Sequence, residues 1–386
     1  MNKIHKRTSL IALSVGVVLA FGISTVITGC KSQEPREKVR TVVFKGGDFD
    51  SKFYRIPAIV TANDGSLVAV ADKRIESNAD LPNPIDVVAR RSTDGGKTWS
   101  EYIVVAEHDS IGGNGDAALV VDRNSGDILA IYSHGNGLWQ DSPAQITVNR
   151  STDNGLTWGD TLNINPQILT TDTLGTQPLK LTSAFATSGH ALQLRDGRIM
   201  FALVTRQAGV DPFKVYAVYS DDGGRTWQVS KTPGTFDGDE SKIVELADGT
   251  LIMSIRNRYR ENRYNNRRLF AYSNDRGETW SEPVEVADLI DPACNGDIIA
   301  YGDGNIILHS LPDSPNKREN VSIYVSKDGG KTFPTKHLVY EGPGGYSAMT
   351  VLPNGNIGIL TEEGHEGTEG YELWFTEVGA DELGIE

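Results

Sequence analysis

The pattern Ser-x-Asp-x-Gly-x-Thr-Trp/Phe occurs five times in the 386-residue chain, beginning at Ser92, Ser151, Ser220, Ser273 and Ser326, 53 to 69 residues apart. Four fixed positions recurring five times are not chance, and such a period marks one supersecondary unit copied along the chain. The octapeptide has the chemistry of a hairpin turn. Its Asp can accept backbone N–H bonds across the bend, and its Gly supplies the positive φ that the bend needs. Thr favours the strand that follows, and the aromatic is an apolar plug beneath the turn. Calcium binding is the rival reading. It fails because the carboxylates in register are too few and no Glu follows at the twelfth position. Asp122-Arg123-Asn124-Ser125-Gly126-Asp127 fails on the same grounds and reads as another turn.

Short β-branched or alternating runs surround the boxes, among them Leu67-Val68-Ala69-Val70, Leu129-Ala130-Ile131-Tyr132, Val215-Tyr216-Ala217-Val218-Tyr219 and Ile306-Ile307-Leu308. Turn pairs such as Asp64-Gly65, Asp196-Gly197, Asp248-Gly249 and Asn354-Gly355 introduce strands, and no long 3.6-residue period competes with them. With 41 Gly and 30 aromatic residues, the composition suits an all-β chain with many tight turns. A unit of this length is about four strands with their loops, the size of one propeller blade. Residues 41–386, at about 58 per unit, make room for six blades, five carrying a box. The expected fold is therefore all-β, a single six-bladed β-propeller over residues 41–386. The net charge of −14 gives nucleic-acid binding no electrostatic support, and two cysteines exclude a disulfide framework.

The first thirty residues read as an address. Lys3, Lys6 and Arg7 precede an uncharged apolar stretch from Leu10 to Ile27, a secretory signal pattern that is also long enough for a membrane helix. Ile27-Thr28-Gly29-Cys30 decides between them: small residues before a cysteine resemble the bacterial lipobox, in which the cysteine is lipidated and becomes the new N-terminus. Cys30 is thus the expected lipidation site, residues 1–30 a cleaved signal, and the polar residues 31–40 a tether. Anchoring through that lipid to the bacterial cell envelope, at the outer membrane or cell surface, follows as an expectation. The other cysteine, Cys294, reads as a buried or inert thiol.

Phe53-Tyr54-Arg55-Ile56-Pro57 at the first strand, followed by the boxes, resembles the bacterial exo-α-sialidases, glycoside hydrolases with a six-bladed propeller fold. The resemblance covers nearly all of the chain after the address. The boxes alone are shared with non-enzymatic propellers, so the catalytic positions carry the argument. The family's substrate bears a carboxylate on its anomeric carbon, and three arginines grip it, a task suited to the guanidinium fork. Arg55 matches the first. Arg256, sixteen residues after Glu240, matches the second, and Arg318 in Asn316-Lys317-Arg318-Glu319 the third, with Lys317 the adjacent alternative.

The resemblance also implies that Tyr346, in Gly344-Gly345-Tyr346-Ser347, is the nucleophile. A carboxylate nucleophile would be repelled by the substrate's own carboxylate, and sialidases are the tyrosine exception among retaining glycosidases. Tyr ionises near pH 10 and needs a base, for which Glu240 is the matching partner. Asp80, 25 residues after Arg55, resembles the general acid/base, with Asp72 as its nearest rival. Arg74 matches an arginine near the sugar's 4-hydroxyl side, and Asp116 is a hydroxyl or N-acetyl contact. Glu362 resembles the acid that orients Arg55, and Glu363 is its adjacent alternative.

The six arginines from Arg256 to Arg268 read as an exposed loop with only Arg256 at the site. The scattered histidines show no paired metal-ligand spacing, so no catalytic metal and no cofactor is expected. The implied activity is removal of terminal sialic acid from glycoproteins, glycolipids or oligosaccharides with retention of configuration, by a monomer. A trans-sialidase, a hydrolase for a relative such as Kdn, and a non-catalytic glycan-binding propeller are the rivals. Trp139 and Tyr264 are the candidate acceptor walls for transfer.

Overall fold

The computed structural model describes Met1 and residues 38–386, save 138–142, 170–172, 175–176, 179–180, 208–209, 236, 259–265 and 368. Cys30, the apolar stretch before it and residues 31–37 lie outside the described residues, as do Trp139 and Tyr264.

The unit Lys38–Glu386 is built from antiparallel meanders. The first sheet runs Phe53–Thr61, Leu67–Arg74, Ile85–Ser92, Ile103–Ala106, each strand paired with the next in sequence. The second runs Gly113–Val121, Ile128–Gly135, Gln145–Ser151, Gly159–Asn163. In the third, Leu181–Ala186 and Leu192–Gln193 both pair with Ile199–Gln207, followed by Val210–Ser220 and Gln228–Val229. The fourth holds Ser241–Glu245, Leu251–Ile255, Arg267–Ser273 and Val284–Ile290.

The last sheet differs from the expected pattern. It is seven-stranded, because the 17-residue strand Thr335–Val351 belongs to two meanders. Up to Pro343 it pairs with Glu319–Ser326, and from Gly344 it pairs with Ile357–Glu363. Asp297–Tyr301 and Ile306–Pro312 complete one end. Glu372–Val378 and then Arg40–Phe44 complete the other. The first strand of the fold is thus hydrogen-bonded to the last, with Arg40 opposite Thr376. Just before this first strand, Val39 is buried and Lys38 pairs with Glu382 at 2.6 Å.

Six clusters of buried apolar side chains follow the same order, each shared by one meander and the next. Leu129 and Ile131 meet Phe201 and Trp227, for example, and Phe375 meets Tyr54 and Leu67 across the seam between the last meander and the first. Period-2 alternation on strands buried on both faces sends successive residues into two different seams. Ile243 and Val244 illustrate this, one in each neighbouring cluster.

The boxes clasp those seams. In each, the Ser hydroxyl accepts the Gly N–H at 2.8–2.9 Å, as in Gly96 to Ser92 and Gly155 to Ser151. The Asp takes the Thr N–H on one oxygen and the Thr hydroxyl on the other, at 2.9 and 2.6 Å for Asp222 and Thr226. Burial pushes the Asp94, Asp222 and Asp328 carboxyls up, but these hydrogen bonds outweigh it and hold each at about 2. The conserved spacing of the box brings its Gly against the preceding meander: a Cβ on Gly96 would stand 2.1 Å from the Phe375 ring. The aromatic plug is buried in the later boxes, where Trp227 and Trp280 donate to the carbonyls of Gly224 and Gly277 at 3.1 and 3.2 Å.

Candidate active site

Three inner strands lose register at the residues that the sequence singles out. The shifts lie between Arg55 and Ala58, between Gly115 and Ala118, and between Gly344 and Ser347. Such bulges turn side chains out of the sheet's alternation. Two of them place non-glycine residues at positive φ, Ile56 at 60° and Asp116 at 59°. Each costs on the order of 1–3 kcal/mol, which the surrounding packing must offset.

Glu362 ties two of these bulges together. Its buried carboxylate accepts Arg55 Nε at 2.6 Å, Arg55 Nη2 at 3.2 Å, the Ile56 N–H at 2.9 Å and the Tyr346 N–H at 2.9 Å. Burial alone would raise its pKa, but Arg55 and the two amides hold it below the ordinary range. Gly345 permits the close approach, since a Cβ there would lie 2.3 Å from Glu362 Oε2. Of the two adjacent acids Glu362 is the one on Arg55; Glu363 faces Arg40, at 2.5 Å.

Tyr346 sits on the strand Thr335–Val351 and is 8% exposed. Its hydroxyl donates to Glu240 Oε2 at 2.7 Å and accepts from Arg256 Nη1 at 3.0 Å, and the same Nη1 donates to Glu240. Burial and then the Glu240 carboxylate raise the phenol pKa well above its usual value, against the opposing pull of Arg256 and Arg318. The Arg55 and Arg318 guanidinium carbons stand 5.5 and 5.4 Å from the centre of the Tyr346 ring. Arg318 is held by the Ala293 carbonyl at 2.9 Å, whereas Lys317 is exposed. Cys294 packs against Tyr346 and Ile56, and burial pushes its thiol up to about 12.

A cavity of about 320 Å³ opens over this group. Arg55, Asp80, Asp116, Glu240, Arg256, Arg318 and Tyr346 all line it, so the structure brings together seven residues that are up to 291 positions apart in sequence. Asp80 projects into solvent, 82% exposed, from the loop after Leu67–Arg74. Arg74, expected beside the sugar, does not line the cavity. Its side chain is 1% exposed, and its guanidinium reaches Asp80 at 2.8 Å, Asp72 at 3.3 Å and the Asn78 carbonyl at 2.6 Å. Two carboxylates and a carbonyl draw it behind the wall, where it fixes Asp80. Asp72, the rival to Asp80, is buried beneath, accepting the Asp116 N–H at 3.1 Å. Burial drives Asp72 up to about 7 despite Arg74, and raises Asp116 well above the carboxylate range.

Sequence reasoning missed several lining residues. Leu81 and Phe185 give the cavity an apolar wall, and Arg258 lines it with its guanidinium carbon 3.6 Å from the Phe213 ring centre. Arg256 is therefore not alone, and the arginine run is not simply an exposed loop. Arg268 is fully buried, donating to Asp291 at 3.2 Å and to the Cys294 carbonyl at 3.0 Å. The signal for Arg258 was its position two residues after Arg256, just past the strand Leu251–Ile255. Among the described residues no group of three or more His, Cys, Asp or Glu is arranged to hold a metal.

The site concentrates cations over one buried tyrosine–carboxylate pair, which equips it to bind an anionic group beside a nucleophile with its base. The family described as BNR repeat-like domain matches residues 62–359. A sialidase of Micromonospora viridifaciens is 34% identical over 336 residues, covering 81% of this chain and 50% of that protein. One from Bacteroides fragilis (strain YCH46) is 28% identical, covering 92% of this chain and 68% of that one. This chain thus spans half to two thirds of the length of these relatives. Among solved structures, the Hadza microbial sialidase Hz136 superimposes with a TM-score of 0.77 at 29% identity, over 89% of this chain and 69% of that one. The repeats, the convergent site and the match over most of the chain lead to one conclusion: this protein is a member of the BNR-repeat, Asp-box sialidase family.

Proposed function

We propose that the protein is an exo-α-sialidase that hydrolyses terminal sialic acid from glycoconjugates through a tyrosyl-enzyme intermediate, on a six-bladed β-propeller. The cyclic order of six apolar seams, with the first strand paired to the last, supports the propeller. The single observation that carries the function is the 2.7 Å bond from the Tyr346 hydroxyl to Glu240 beneath Arg55, Arg256 and Arg318.

The three guanidinium groups hold the substrate carboxylate and so place the anomeric carbon over Tyr346. The phenolic oxygen attacks that carbon while Glu240 takes its proton. The bond to the glycosidic oxygen breaks as Asp80 protonates the leaving group. Asp80 then deprotonates water, which attacks the anomeric carbon from the face the leaving group vacated, and Glu240 returns its proton to Tyr346. Two displacements give net retention. The exposed position of Asp80 suits a group that must meet both the aglycone and water, and Arg74 keeps it in place. Sialylated glycoproteins, glycolipids or oligosaccharides are the substrates in this reading. The lipobox-like segment ending at Cys30 supports attachment of the enzyme to the cell envelope.

Release of the fluorophore from an aryl α-sialoside by the full chain, beside Tyr346→Phe and with a chelator control, tests this. Chelator-insensitive turnover that collapses in the variant, with α-sialic acid as the first product by NMR, is the expected result. Equal turnover in both proteins would refute the Tyr346 assignment. Turnover in neither, with sialoside still bound, would point to a glycan-binding propeller.

A further inference from the structure

Behind the cavity wall, one buried carboxylate holds two parts of the site together. Asp72 is 1% exposed and does not line the cavity. It stands opposite Arg55 in the register of the first meander, two residues before Arg74 on the same face of the strand Leu67–Arg74. Each of its oxygens has its own partner. Oδ1 accepts the Asp116 N–H at 3.1 Å, across the boundary to the second meander, and Oδ2 accepts Arg74 Nη2 at 3.3 Å. Gly115 makes room for the carboxylate, since a Cβ there would stand 3.1 Å from Oδ2.

Arg74 carries the link outward. The Nη2 that binds Asp72 also reaches Asp80 Oδ1 at 2.8 Å, and Nη1 donates to the Asn78 carbonyl at 2.6 Å within the loop that bears Asp80. An ion pair in open water holds a carboxylate weakly, and Asp80 is 82% exposed. The hold is firm only if the guanidinium is itself fixed from behind. Among the described residues Asp72 is the one other carboxylate within ion-pair distance of Arg74. A buried arginine answered by a buried aspartate would by itself be a structural pair. Here the shared Nη2 goes on to an exposed acid, and the second oxygen of Asp72 pins a residue held at positive φ in a bulge of the site.

We propose that Asp72 is a positioning residue for the general acid: through Arg74 it sets where the Asp80 carboxyl stands against the leaving oxygen. The inference rests on the hydrolase reading given above. It has a chemical signature. A weakly acidic leaving group departs poorly without a proton, whereas a strongly acidic phenol departs with little help. Displacing Asp80 therefore penalises the first and largely spares the second. The other arm of Asp72, on Asp116, acts on the sialic acid that such substrates share, so it affects them alike.

The test is kcat/KM of the full chain for a series of aryl α-sialosides whose phenols differ in acidity, in the wild type and in Asp72→Asn. The amide keeps the shape of the side chain but has one acceptor oxygen, so it answers only one of the two N–H donors. Turnover of the unsubstituted phenyl sialoside is expected to fall about thirtyfold and that of the para-nitrophenyl sialoside no more than about threefold. Asp80→Asn should show the same selectivity, and adding Asp72→Asn to it should cost little more, because both act through one carboxyl. Should Asp72→Asn fail to fold, Gly115→Ala decides. It leaves every charge in place, crowds Oδ2, and is expected to lower the phenyl to para-nitrophenyl ratio by about threefold. Equal losses across the series, or losses that add in the double variant, would overturn the role of Asp72 and leave the hydrolase standing. Absence of wild-type turnover across the series would remove both.

Discussion

The turn boxes and the cavity are made from the same strands, yet they obey opposite rules. In a box the turn is closed by its own side chains: Ser220 caps the Gly224 N–H, Asp222 takes both donors of Thr226, and Trp227 returns its indole N–H to the turn. The aromatic reaches outward, the Trp227 N–H to Gln167 at 2.7 Å and the Trp280 N–H to Thr232 at 2.9 Å, while the turn itself closes on its own side chains. At the cavity, strands bulge, Ile56 and Asp116 adopt positive φ, and like charges crowd behind a buried tyrosine. There the central groups are held by ones remote in sequence, Arg55 by Glu362 and Tyr346 by Glu240. The contrast separates residues that make the fold from those that spend its stability on chemistry.

Substitutions can be ranked by how sharply they divide those two regions. The largest effect is expected for Tyr346→Phe, which should lower kcat by at least about a thousandfold while leaving the thermal transition nearly unchanged. A Tm loss of similar significance would mean that the phenol serves the fold. Glu362→Gln should fail on both counts. It uncouples Arg55 from the bulge, lowering kcat/KM by about 10²–10³-fold, and breaks a buried ion pair at about 3–5 kcal/mol by denaturant unfolding.

Trp227→Ala inverts the pattern. Emptying a seam should cost about 3–5 kcal/mol, with kcat per folded molecule unaltered. A kcat change at that distance would show that the seams tune the site. The smallest effect belongs to Asp222→Asn, about 1 kcal/mol through weakened hydrogen bonds in one of five boxes. Its signature lies in pH. Because Asp94, Asp222 and Asp328 are depressed to about 2, their contribution is full above the unfolded value near 4 and lost as pH falls toward 2. Tm followed across that window should fall less steeply in the variant than in the wild type. Parallel curves would show that the boxes do not titrate with folding.

How much of this was legible beforehand follows from the same division. The boxes are local, so four positions in eight residues were enough to read the turn, its capping and the all-β fold. The site residues were legible only because their motifs resemble those of a known family; nothing in the spacing of Arg55, Glu240 and Tyr346 says that they meet. Residues whose role depends on register escaped. Arg268 sits in the same arginine run as Arg256 but points into the protein interior, and Arg74 is turned from the cavity by Asp72. Phe185 and Leu81 look like any strand or loop apolar residue until the wall they form is seen. The continuity of Thr335–Val351 was hidden by Gly342-Pro343-Gly344-Gly345, residues that usually punctuate a strand and here run through it.

The pairing of Arg40–Phe44 with Glu372–Val378 has a consequence for how the protein must be made. A chain that crosses a membrane or leaves a ribosome from its N-terminus delivers the closing strand first and its partner last. Until Glu372 has emerged, Arg40–Phe44 lacks its one partner strand, which invites pairing with another copy. That pairing therefore waits until the chain has been made through Glu372–Val378, and on the slow search that such distant contacts require. A truncation just short of Glu372 would keep every catalytic candidate and all five boxes, yet leave Arg40–Phe44 without its partner strand.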